Sequence, residues 1–557
     1  MHYVVVTSGM LSGMGKGVTM SSLAANIQSL GVAVTVVKLD SYLNQNAGSM
    51  SPYEHGEVFV LEDGSEVDQD FGEYERVLGI KLTGDHSITG GKVLRKVLDK
   101  EMNGLMAGKT VQYIPHVRDE IKDQIIHAAS LPVRDAEKPE ICFVEVGGSV
   151  SAAESTFFFS ALEELGKEVG RENIIYILLD MVLEVYGTQK TKPIQGSVAE
   201  LRQKGIVPDL LFCRAQGKVH QSTKNKIAVQ CCLPENSIFE ARFLESVADL
   251  PLLFEDHPTL DFILQRFAIQ KRHTQNPRIA LWKGFYKRPV AERTVRLVVV
   301  GKYADAIESY TSMQKAIKHA CIANNTELDL VFLKSETLED DCLLLSGCEP
   351  AEKQPKTEPE GFETLRTADA VIVAGGHGVR GLQGKIATCE YARKNKLPYL
   401  GICLGLQVML IEFARNVLGL RNANSTEFDP NTEDPVVWIV DEEKALHNSG
   451  TMNLGAKKTE IVAQDSLMSR IYAGAPIVEE RYRHRYEVNN DYIERLEENG
   501  MRLCGVDPAS KRPTNLEITD HPFMFATQSH PEFTSSITCP SKPYVALINA
   551  AVARKYN

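Results

Sequence analysis

A cysteine set between two glycines is the strongest chemical signal in the chain. Gly401-Ile402-Cys403-Leu404-Gly405 repeats the G-x-S-x-G nucleophile elbow with sulfur in place of oxygen. Further along, His530 can take the thiol proton and Glu532 can orient the imidazole. Gly375-Gly376 follows an apolar run and offers backbone donors for an oxyanion. The pattern predicts nucleophilic catalysis by Cys403, and the alternative is a buried structural cysteine.

A glycine-rich loop near the start of the chain could hold phosphates. The predicted strand Tyr3–Thr7 runs into residues 8–19 (SGMLSGMGKGVT), and a helix is expected from about Met20. A strand, a glycine turn and a helix N-terminus together aim backbone N–H groups at an anion, and Lys16 adds a charge. The spacing is not a strict phosphate-loop motif, because Gly17 follows the lysine. The alternative is a tight turn with a solvated lysine.

Several acidic side chains fall where a metal–nucleotide site would need them. Lys38 and Asp40 end the second predicted strand, at the edge where ligands of open α/β sheets collect. Asp68 and Asp70 stand in a predicted polar loop, and Glu145 stands near the end of another strand. Magnesium binds through one or two carboxylates plus nucleotide phosphates, so the combination favours an ATP–magnesium site. Each carboxylate taken alone is more often solvated.

The elements that position these residues are predicted to form two α/β domains, each with a parallel sheet. Near-continuous apolar strands alternate with helical patterns, which is typical of parallel sheets covered on both faces. The predicted domains are residues 1–270 and 294–557, with a basic, proline-containing linker at 271–293. Residues 346–360 are rich in Glu, Lys and Pro and are predicted to be a mobile insertion. The predicted strands are Tyr3–Thr7, Val34–Leu39, Cys142–Val146, Ile174–Asp180, Asp209–Cys213, Arg296–Gly301, Leu328–Leu333, Ala370–Ala374 and Pro398–Cys403.

Composition narrows the class of protein. The 557 residues carry 61 basic and 73 acidic side chains, a formal charge of −12, which argues against a general nucleic-acid binder. The eleven cysteines form no CxxC pair, so neither a zinc ribbon nor a disulfide framework is indicated. No apolar run reaches the length of a membrane span, and the first residues do not resemble a signal peptide. We therefore expect a cytoplasmic enzyme without a membrane partner.

The second half of the chain resembles the class I glutamine amidotransferases, which release ammonia from glutamine through a thioester. The resemblance rests on Gly401–Gln407 (GICLGLQ) and the distant His530-Pro531-Glu532. It implies that Cys403 is the nucleophile and that His530 and Glu532 complete a triad. The glutamine-holding residues it implies are Gly376, Leu404, Gly405, Leu406, Gln407, Glu427 and Arg485.

The whole chain resembles the CTP synthase family. The strings SGMLSGMGKGV, KLDSYLN, MSPYEHGEVFVLEDG, DFGEYER, GKTVQYIPHV, VEVGGS and KTKPIQGSVAELR occur in the family's order. The resemblance implies a carbon–nitrogen ligase of pyrimidine nucleotide synthesis that aminates UTP to CTP with ATP and glutamine. ATP would phosphorylate O4 of the uracil, and ammonia passed inside the protein would displace the phosphate. It further implies a homotetramer, activation by GTP, inhibition by CTP and, in some members, filaments.

The same resemblance assigns roles to residues of the first half. ATP would be held by Gly13, Met14, Gly15, Lys16, Gly17, Val18, Lys38 and Asp70, and magnesium by Asp70 and Glu145. UTP or CTP would be held by Ser12, Glu154, Lys190, Thr191, Lys192, Pro193, Ile194, Gln195 and Lys226. His55 would lie near the ammonia passage. Two lysines around a proline-stiffened turn suit a triphosphate.

Three positions depart from the family pattern. Ser41 stands where the family usually has Pro. His377 stands where it usually has Phe, and this second difference bears on the GTP response. Ala152 replaces an acid that helps to hold CTP as an inhibitor, although Glu154 is kept. Two other readings are open: another ATP-driven amidotransferase, such as a cobyric or cobyrinic acid amidase, and a phosphate-loop switch or scaffold with an inert amidotransferase domain. The KTKPIQ string argues against the first, and the complete triad argues against the second.

Overall fold

A computed structural model describes residues 1–11, 13–133, 137–242, 254–255, 257–272, 291–339, 360–439 and 452–557, together with residues 280, 282 and 284. The chain divides into two compact units, one of residues 1–50 and 70–287 and the other of residues 51–69 and 288–557. This division places residues 51–69 in the second unit, a discontinuity that the predicted boundaries do not contain. Ser12, most of the predicted linker and nearly all of the predicted insertion lie outside the described residues.

The strands are numbered in chain order. They are β1 His2–Ser8, β2 Val34–Asp40, β3 Val58–Val60, β4 Glu66–Asp68, β5 Ser87–Thr89, β6 Ile141–Val146, β7 Ile174–Met181, β8 Leu183–Val185, β9 Thr188–Lys190, β10 Leu210–Ala215, β11 Ile238–Arg242, β12 Thr294–Gly301, β13 Glu327–Lys334, β14 Ala370–Val373, β15 Tyr399–Ile402, β16 Ala423–Ser425, β17 Asp434–Ile439, β18 Asn453–Ile461, β19 Ile477–His484, β20 Tyr486–Val488, β21 Met501–Val506, β22 Pro513–Ile518 and β23 Met524–Thr527. Each strand predicted from the sequence is present, with ends that differ by one or two residues.

The α-helices of the described residues are numbered in the same way. They are α1 Lys16–Ser29, α2 Pro52–His55, α3 Asp70–Leu78, α4 Gly90–Met102, α5 Arg118–Ser130, α6 Thr156–Val169, α7 Lys192–Gln203, α8 Gln221–Cys231, α9 Pro258–Arg266, α10 Thr311–Ala323, α11 Gly361–Arg366, α12 Leu382–Lys394, α13 Leu404–Asn416, α14 Leu467–Ile471, α15 Ile493–Glu498 and α16 Lys542–Tyr556. None of them is long and apolar enough to cross a membrane.

The first unit is built on a seven-stranded parallel sheet. Its strand order is β11-β10-β7-β1-β6-β2-β5, and all its pairings are parallel. The central strands β1, β2 and β6 are buried along almost their whole length, as expected for a sheet covered on both faces. Because β1 lies between β7 and β6, the chain reverses its direction of winding beside β1. Ligands of open α/β sheets bind at such a switch point, next to the carboxyl ends of the strands.

The second unit is built on a nine-stranded sheet that is mixed, so the prediction of a second parallel sheet is correct only in part. Strands β13-β12-β14-β15-β23 pair in parallel, and β22, β21, β18 and β19 continue the sheet in antiparallel fashion. Strands β21, β22 and β23 follow one another through short connections, which need no crossover helix. The predicted nucleophile follows β15, a buried strand inside the parallel part.

Residues 51–69 belong to the second unit through polar contacts as well as packing. The Glu57 carboxylate accepts from the backbone N–H of Ser312 at 3.1 Å, at the start of α10. The Arg481 guanidinium donates to the carbonyl oxygen of Val60 at 2.9 Å, and Arg483 donates to Glu66 at 2.8 Å. A carboxylate at a helix N-terminus and charge-assisted hydrogen bonds are stabilising contacts. These residues therefore form a fixed part of the second unit.

Candidate active sites

The nucleophile elbow is formed as the sequence predicts. Cys403 follows β15 and precedes α13 with φ 54° and ψ −103°, a backbone conformation that is strained for a residue with a side chain. Its backbone N–H donates to Thr527 O at 2.8 Å, which fixes the turn against β23. A Cβ on Gly405 would lie 2.3 Å from Val373 O, so only glycine lets α13 pack this closely against the sheet.

The triad residues are brought together around this elbow. His530 Nδ1 lies 2.7 Å from Glu532 Oε1, and Cys403 is close enough to the imidazole to raise its pKa. Burial alone would lower the pKa of His530, but the Glu532 carboxylate and Cys403 raise it to about 10. Both partners of the imidazole thus favour its protonated form. The arrangement can transfer a proton from sulfur to a leaving group while the carboxylate fixes the ring.

Two contacts at the sulfur were not predicted from the sequence. The Gln528 amide donates to Cys403 Sγ at 3.5 Å, and the thiol approaches the carbonyl oxygen of Arg483 at 3.6 Å. Gln528 also accepts from Gln407, which donates to Tyr486 O at 3.1 Å. These amides form a chain across the floor of the site. The one sequence signal for a role of Gln528 was its position two residues before His530. Residue type alone does not indicate which way its amide points.

The predicted glutamine-holding residues other than Gly376 divide into three groups. Leu404, Gly405, Leu406 and Gln407 form the buried first turn of α13. Glu427 accepts from the Gly378 N–H at 2.7 Å, and burial raises the pKa of its carboxyl. Arg485 is exposed and close enough to Glu427 for its charge to lower the pKa of that carboxyl. A carboxylate beside a guanidinium suits the charged ends of an α-amino acid.

The loop after β14 contains the predicted oxyanion donor Gly376, which has φ 148°. A Cβ on Gly375 would lie 3.1 Å from His530 Cε1 and 3.4 Å from Cys403 Cβ, so the loop lies directly against the catalytic pair. Two buried lysines, Lys302 and Lys385, bind backbone carbonyl oxygens of this loop. Neither lysine was predicted from the sequence, because lysine side chains are usually solvated.

In the first unit, the glycine-rich loop leads from β1 into α1. The helix begins at Lys16, four residues before the predicted start at Met20, after Gly15 in the left-handed conformation. Lys16 is buried, and its ammonium donates to Ser8 Oγ at 3.1 Å and Gly148 O at 2.9 Å. Burial lowers the pKa of this lysine, while the nearby Glu145 raises it. Gly13 and Met14 precede α1, whereas Gly17 and Val18 lie in its first turn, and such a helix N-terminus is suited to bind an anion.

Two predicted carboxylates converge on this helix N-terminus. A Cβ on Gly17 would lie 3.1 Å from Glu145 Oε2 and 3.3 Å from the carboxyl carbon of Asp70. Asp70 pairs with Lys38 at 2.5 Å, and Tyr74 donates to Glu145. Burial raises the pKa of Glu145 to about 7, although Lys38 opposes this shift. Asp70 begins α3 and Asp68 ends β4, so neither lies in the predicted polar loop. Within the described residues, no group of three or more His, Cys, Asp or Glu side chains is arranged to hold a metal.

The predicted pyrimidine-nucleotide residues lie on several elements of the first unit. Lys190 ends β9, Thr191 precedes α7, and Lys192, Pro193, Ile194 and Gln195 form the first turn of that helix. Lys190, Lys192 and Lys226 are exposed, as is Glu154. Exposed lysines at a helix start can meet a triphosphate without a large desolvation cost. Within the second unit, His55 ends the short helix α2 and is exposed.

Comparisons with known proteins cover almost the whole chain. The family described as "CTP synthase N-terminus" matches residues 2–269, and "Glutamine amidotransferase class-I" matches residues 305–548. CTP synthase 1-A of Xenopus laevis and CTP synthase 1 of Homo sapiens are each 40% identical over 560 residues, covering 100% of this chain and 93% of theirs. A solved glutaminase domain of Trypanosoma brucei CTPS with bound acivicin is 36% identical; the match covers 47% of this chain and 96% of that one with a TM-score of 0.42.

Proposed function

The chain belongs to the CTP synthase family, and from that premise we propose how its two units divide the family's reaction. The protein is a ligase that converts UTP to CTP with ATP and with nitrogen from glutamine, a step of pyrimidine nucleotide synthesis. In the proposed division, the first unit (predicted as residues 1–270) performs the ATP-dependent amination. The second unit (predicted as residues 294–557) performs the glutaminase reaction. The ammonia passes between the two sites without release, with His55 near its path.

The glutaminase step is assigned to Cys403, His530 and Glu532. Cys403 Sγ attacks the side-chain amide carbon of glutamine, and its proton passes through His530 to the departing ammonia. Water, deprotonated by the same imidazole, then cleaves the thioester to give glutamate. The N–H groups of Gly376 and Leu404 would donate to the oxygen that carries negative charge in both steps. Glu427 and Arg485 hold the charged ends of the substrate.

The synthetase step is assigned to the glycine-rich loop and the residues around it. Lys16, Lys38 and the loop N–H groups neutralise the ATP phosphates, while Lys190, Lys192 and Lys226 bind the triphosphate of UTP. O4 of UTP takes the terminal phosphoryl group, and ammonia then displaces phosphate at C4. The two carboxylates that meet at Gly17 fit a magnesium ion, so Asp70 and Glu145 would hold it. Magnesium would supply charge neutralisation on the phosphates.

We further propose effectors, a state of assembly and a location for the protein. GTP is proposed to activate the glutaminase half and CTP to inhibit synthesis, with His377 and Ala152 as the positions where this chain departs from its family. Self-association to a tetramer is supported by the exposed apolar side chains Leu98, Met102 and Leu105 in and just after α4. Filaments and a cytoplasmic location remain predictions from the sequence.

The observation that carries the proposed division is the complete triad at a formed nucleophile elbow, on a different unit from the phosphate loop. The test follows conversion of UTP to CTP with ATP and magnesium, and supplies either glutamine or ammonium as the nitrogen source. We expect synthesis from both donors, with glutamate formed only from glutamine. Synthesis from ammonium alone would contradict the glutaminase assignment, and absence of synthesis from either donor would contradict the synthetase assignment.

A further inference from the structure

Lys385 is a buried lysine that pairs with no acidic side chain among the described residues. It lies in the first turn of α12, and its side chain has no solvent exposure. Its ammonium donates to the carbonyl oxygens of Ala374 at 2.6 Å and Gly375 at 3.2 Å, and it forms no ion pair within the described chain. A buried charge that is neutralised only by backbone dipoles is costly to stability. Such a group is a candidate for a functional role when it lies beside an active site.

The two carbonyls that Lys385 binds belong to the loop that faces the catalytic pair. Lys302, itself almost wholly buried, binds the carbonyl oxygens of His377 and Gly378 in the same loop. Lys385 Nζ is 3.7 Å, and Lys302 Cδ 3.6 Å, from the place that a Cβ on Gly376 would take. The two lysines therefore lie together beside Gly376. Lys385 binds the carbonyl oxygens of the two residues before Gly376, and Lys302 binds those of the two residues after it.

Holding a carbonyl also fixes the N–H of the next residue. In a trans peptide the C=O and the following N–H point in opposite directions within one plane. With the Gly375 carbonyl turned toward Lys385, the N–H of Gly376 points away from the ammonium. Gly375 itself lies against His530 and Cys403, so this peptide borders the catalytic pair. A free glycine pair could rotate this peptide at little cost, because glycine is the least restricted residue.

We propose that Lys385 is a positioning residue of the glutaminase reaction, which holds the Gly375–Gly376 peptide so that the Gly376 N–H meets the oxyanion formed when Cys403 attacks. This inference rests on the proposed glutaminase role of the second unit. The charge of Lys385 also strengthens the peptide dipole at the moment when negative charge develops. Burial and the charge of Lys302 lower the pKa of Lys385 to about 7, whereas Cys403 raises it, so the ammonium is electrostatically coupled to the nucleophile.

The test compares Lys385→Met, which keeps the length of the side chain and removes its charge, with Lys394→Met. Lys394 is an exposed lysine of the same helix that pairs with Glu390. Five quantities are measured in the full chain: kcat for glutamine, KM for glutamine, inhibition by glutamate γ-semialdehyde, alkylation of Cys403 by iodoacetamide, and synthesis from ammonium. The aldehyde forms a thiohemiacetal with Cys403, so its oxygen occupies the place of the oxyanion. Inhibition by the aldehyde therefore measures the oxyanion donor, whereas alkylation by iodoacetamide measures the reactivity of the Cys403 thiol.

For Lys385→Met we expect kcat to fall about 10- to 100-fold, less than or comparable to the loss of a whole oxyanion donor. The inhibition constant of the aldehyde should rise by a similar factor, while KM, the alkylation rate and ammonium-dependent synthesis stay within about threefold. Lys394→Met should change none of them. An unchanged kcat, an unchanged aldehyde constant, or a parallel loss of alkylation that shows a collapsed elbow would each overturn the proposal.

A second variant covers the case in which Lys385→Met does not fold. Lys385→Gln keeps one neutral donor and is expected to give losses of kcat and aldehyde binding between those of the wild type and the methionine variant. The same criteria apply to it, and wild-type behaviour of this variant in a folded protein would also overturn the proposal. If the wild-type chain releases no glutamate from glutamine, the proposed glutaminase function fails, which is a different result from a failure of the Lys385 inference.

Discussion

Tyr544 donates its phenolic hydrogen to Glu532 Oε2 across 3.3 Å, from a position on α16 with no solvent exposure. The other oxygen of the same carboxylate lies 2.7 Å from Nδ1 of His530. Both carboxylate oxygens of Glu532 therefore have a hydrogen-bond partner. The carboxylate cannot rotate away from the imidazole without breaking a buried hydrogen bond. The C-terminal helix of the second unit thus helps to fix the catalytic base.

The first prediction concerns pH and follows from this carboxylate. The pKa of His530 in the folded protein, about 10, exceeds its usual value of 6.5. The contribution of this pair to stability is therefore fully present below about pH 6.5 and is lost as the pH rises through about 10. For Glu532→Gln we expect the loss in unfolding temperature to be largest near pH 6.5 and to shrink toward pH 10, as measured by calorimetry. Glu390→Gln, at an exposed ion pair, is the control, and a pH-independent loss in Glu532→Gln would contradict the assignment.

The second prediction separates the two nitrogen sources. Cys403→Ala removes the covalent route through the thioester and leaves the first unit unaltered. We expect glutamine-dependent CTP formation to disappear and ammonium-dependent formation to stay within about twofold of wild type. Both rates can be followed by separating UTP and CTP chromatographically. Equal losses with both donors would show that the two chemistries are not divided between the units.

The third prediction concerns the carboxylates near Gly17. Asp70→Asn and Glu145→Gln each remove one negative charge from the proposed magnesium position. We expect ammonium-dependent synthesis to fall by roughly a hundredfold or more, while glutamate release from glutamine changes far less. Glu172→Gln, at an exposed acid of the first unit outside this cluster, tests whether any loss of charge has the same effect. Near-normal synthesis in both cluster variants would identify the two carboxylates as bystanders.

The fourth prediction concerns the glycine behind the nucleophile. A Cβ at Gly405 would meet Val373 O at 2.3 Å, a distance that forces the start of α13 away from the sheet. Gly405→Ala should therefore lower glutamine-dependent activity by at least tenfold by displacing Cys403, with ammonium-dependent synthesis retained. Gly217→Ala, where a Cβ has open space, should be neutral. Full glutaminase activity in Gly405→Ala would mean that the elbow tolerates this displacement.

The fifth prediction concerns feedback by CTP. Ala152 stands where the family resemblance places an acid that helps to hold the inhibitor. A hydrogen bond to a charged group is worth on the order of 1–3 kcal/mol, or about 5- to 150-fold in affinity. We expect Ala152→Asp to tighten CTP inhibition within this range and to leave the apparent constant for UTP little changed. Indistinguishable CTP titrations of the two proteins would mean that another group already supplies the contact.

The sequence predicted those parts of the molecule that repeat a local pattern. The buried strands, the turn at Cys403 and the triad partners each have a signature in residue type and spacing, and the structure places them as expected. The mixed character of the second sheet was not predictable in this way, because an apolar strand has the same sequence pattern whether it pairs in parallel or antiparallel fashion. Lys385 and Tyr544 were missed for a related reason: their importance lies in which buried atom they reach, and that depends on packing between elements far apart in sequence.

Residues 51–69 have a consequence for attempts to separate the two units. The chain passes from one unit to the other at residues 50–51, 69–70 and 287–288, so a protease cut in the connection at 271–293 breaks one of three covalent crossings. A fragment beginning at residue 294 lacks Glu57, the acceptor at the start of α10, and leaves Arg481 and Arg483 without Val60 and Glu66. The second unit, as defined with residues 51–69, is thus not one continuous piece of chain. A shortened version keeps these contacts only if residues 51–69 are supplied as a separate peptide or joined back through a new connection.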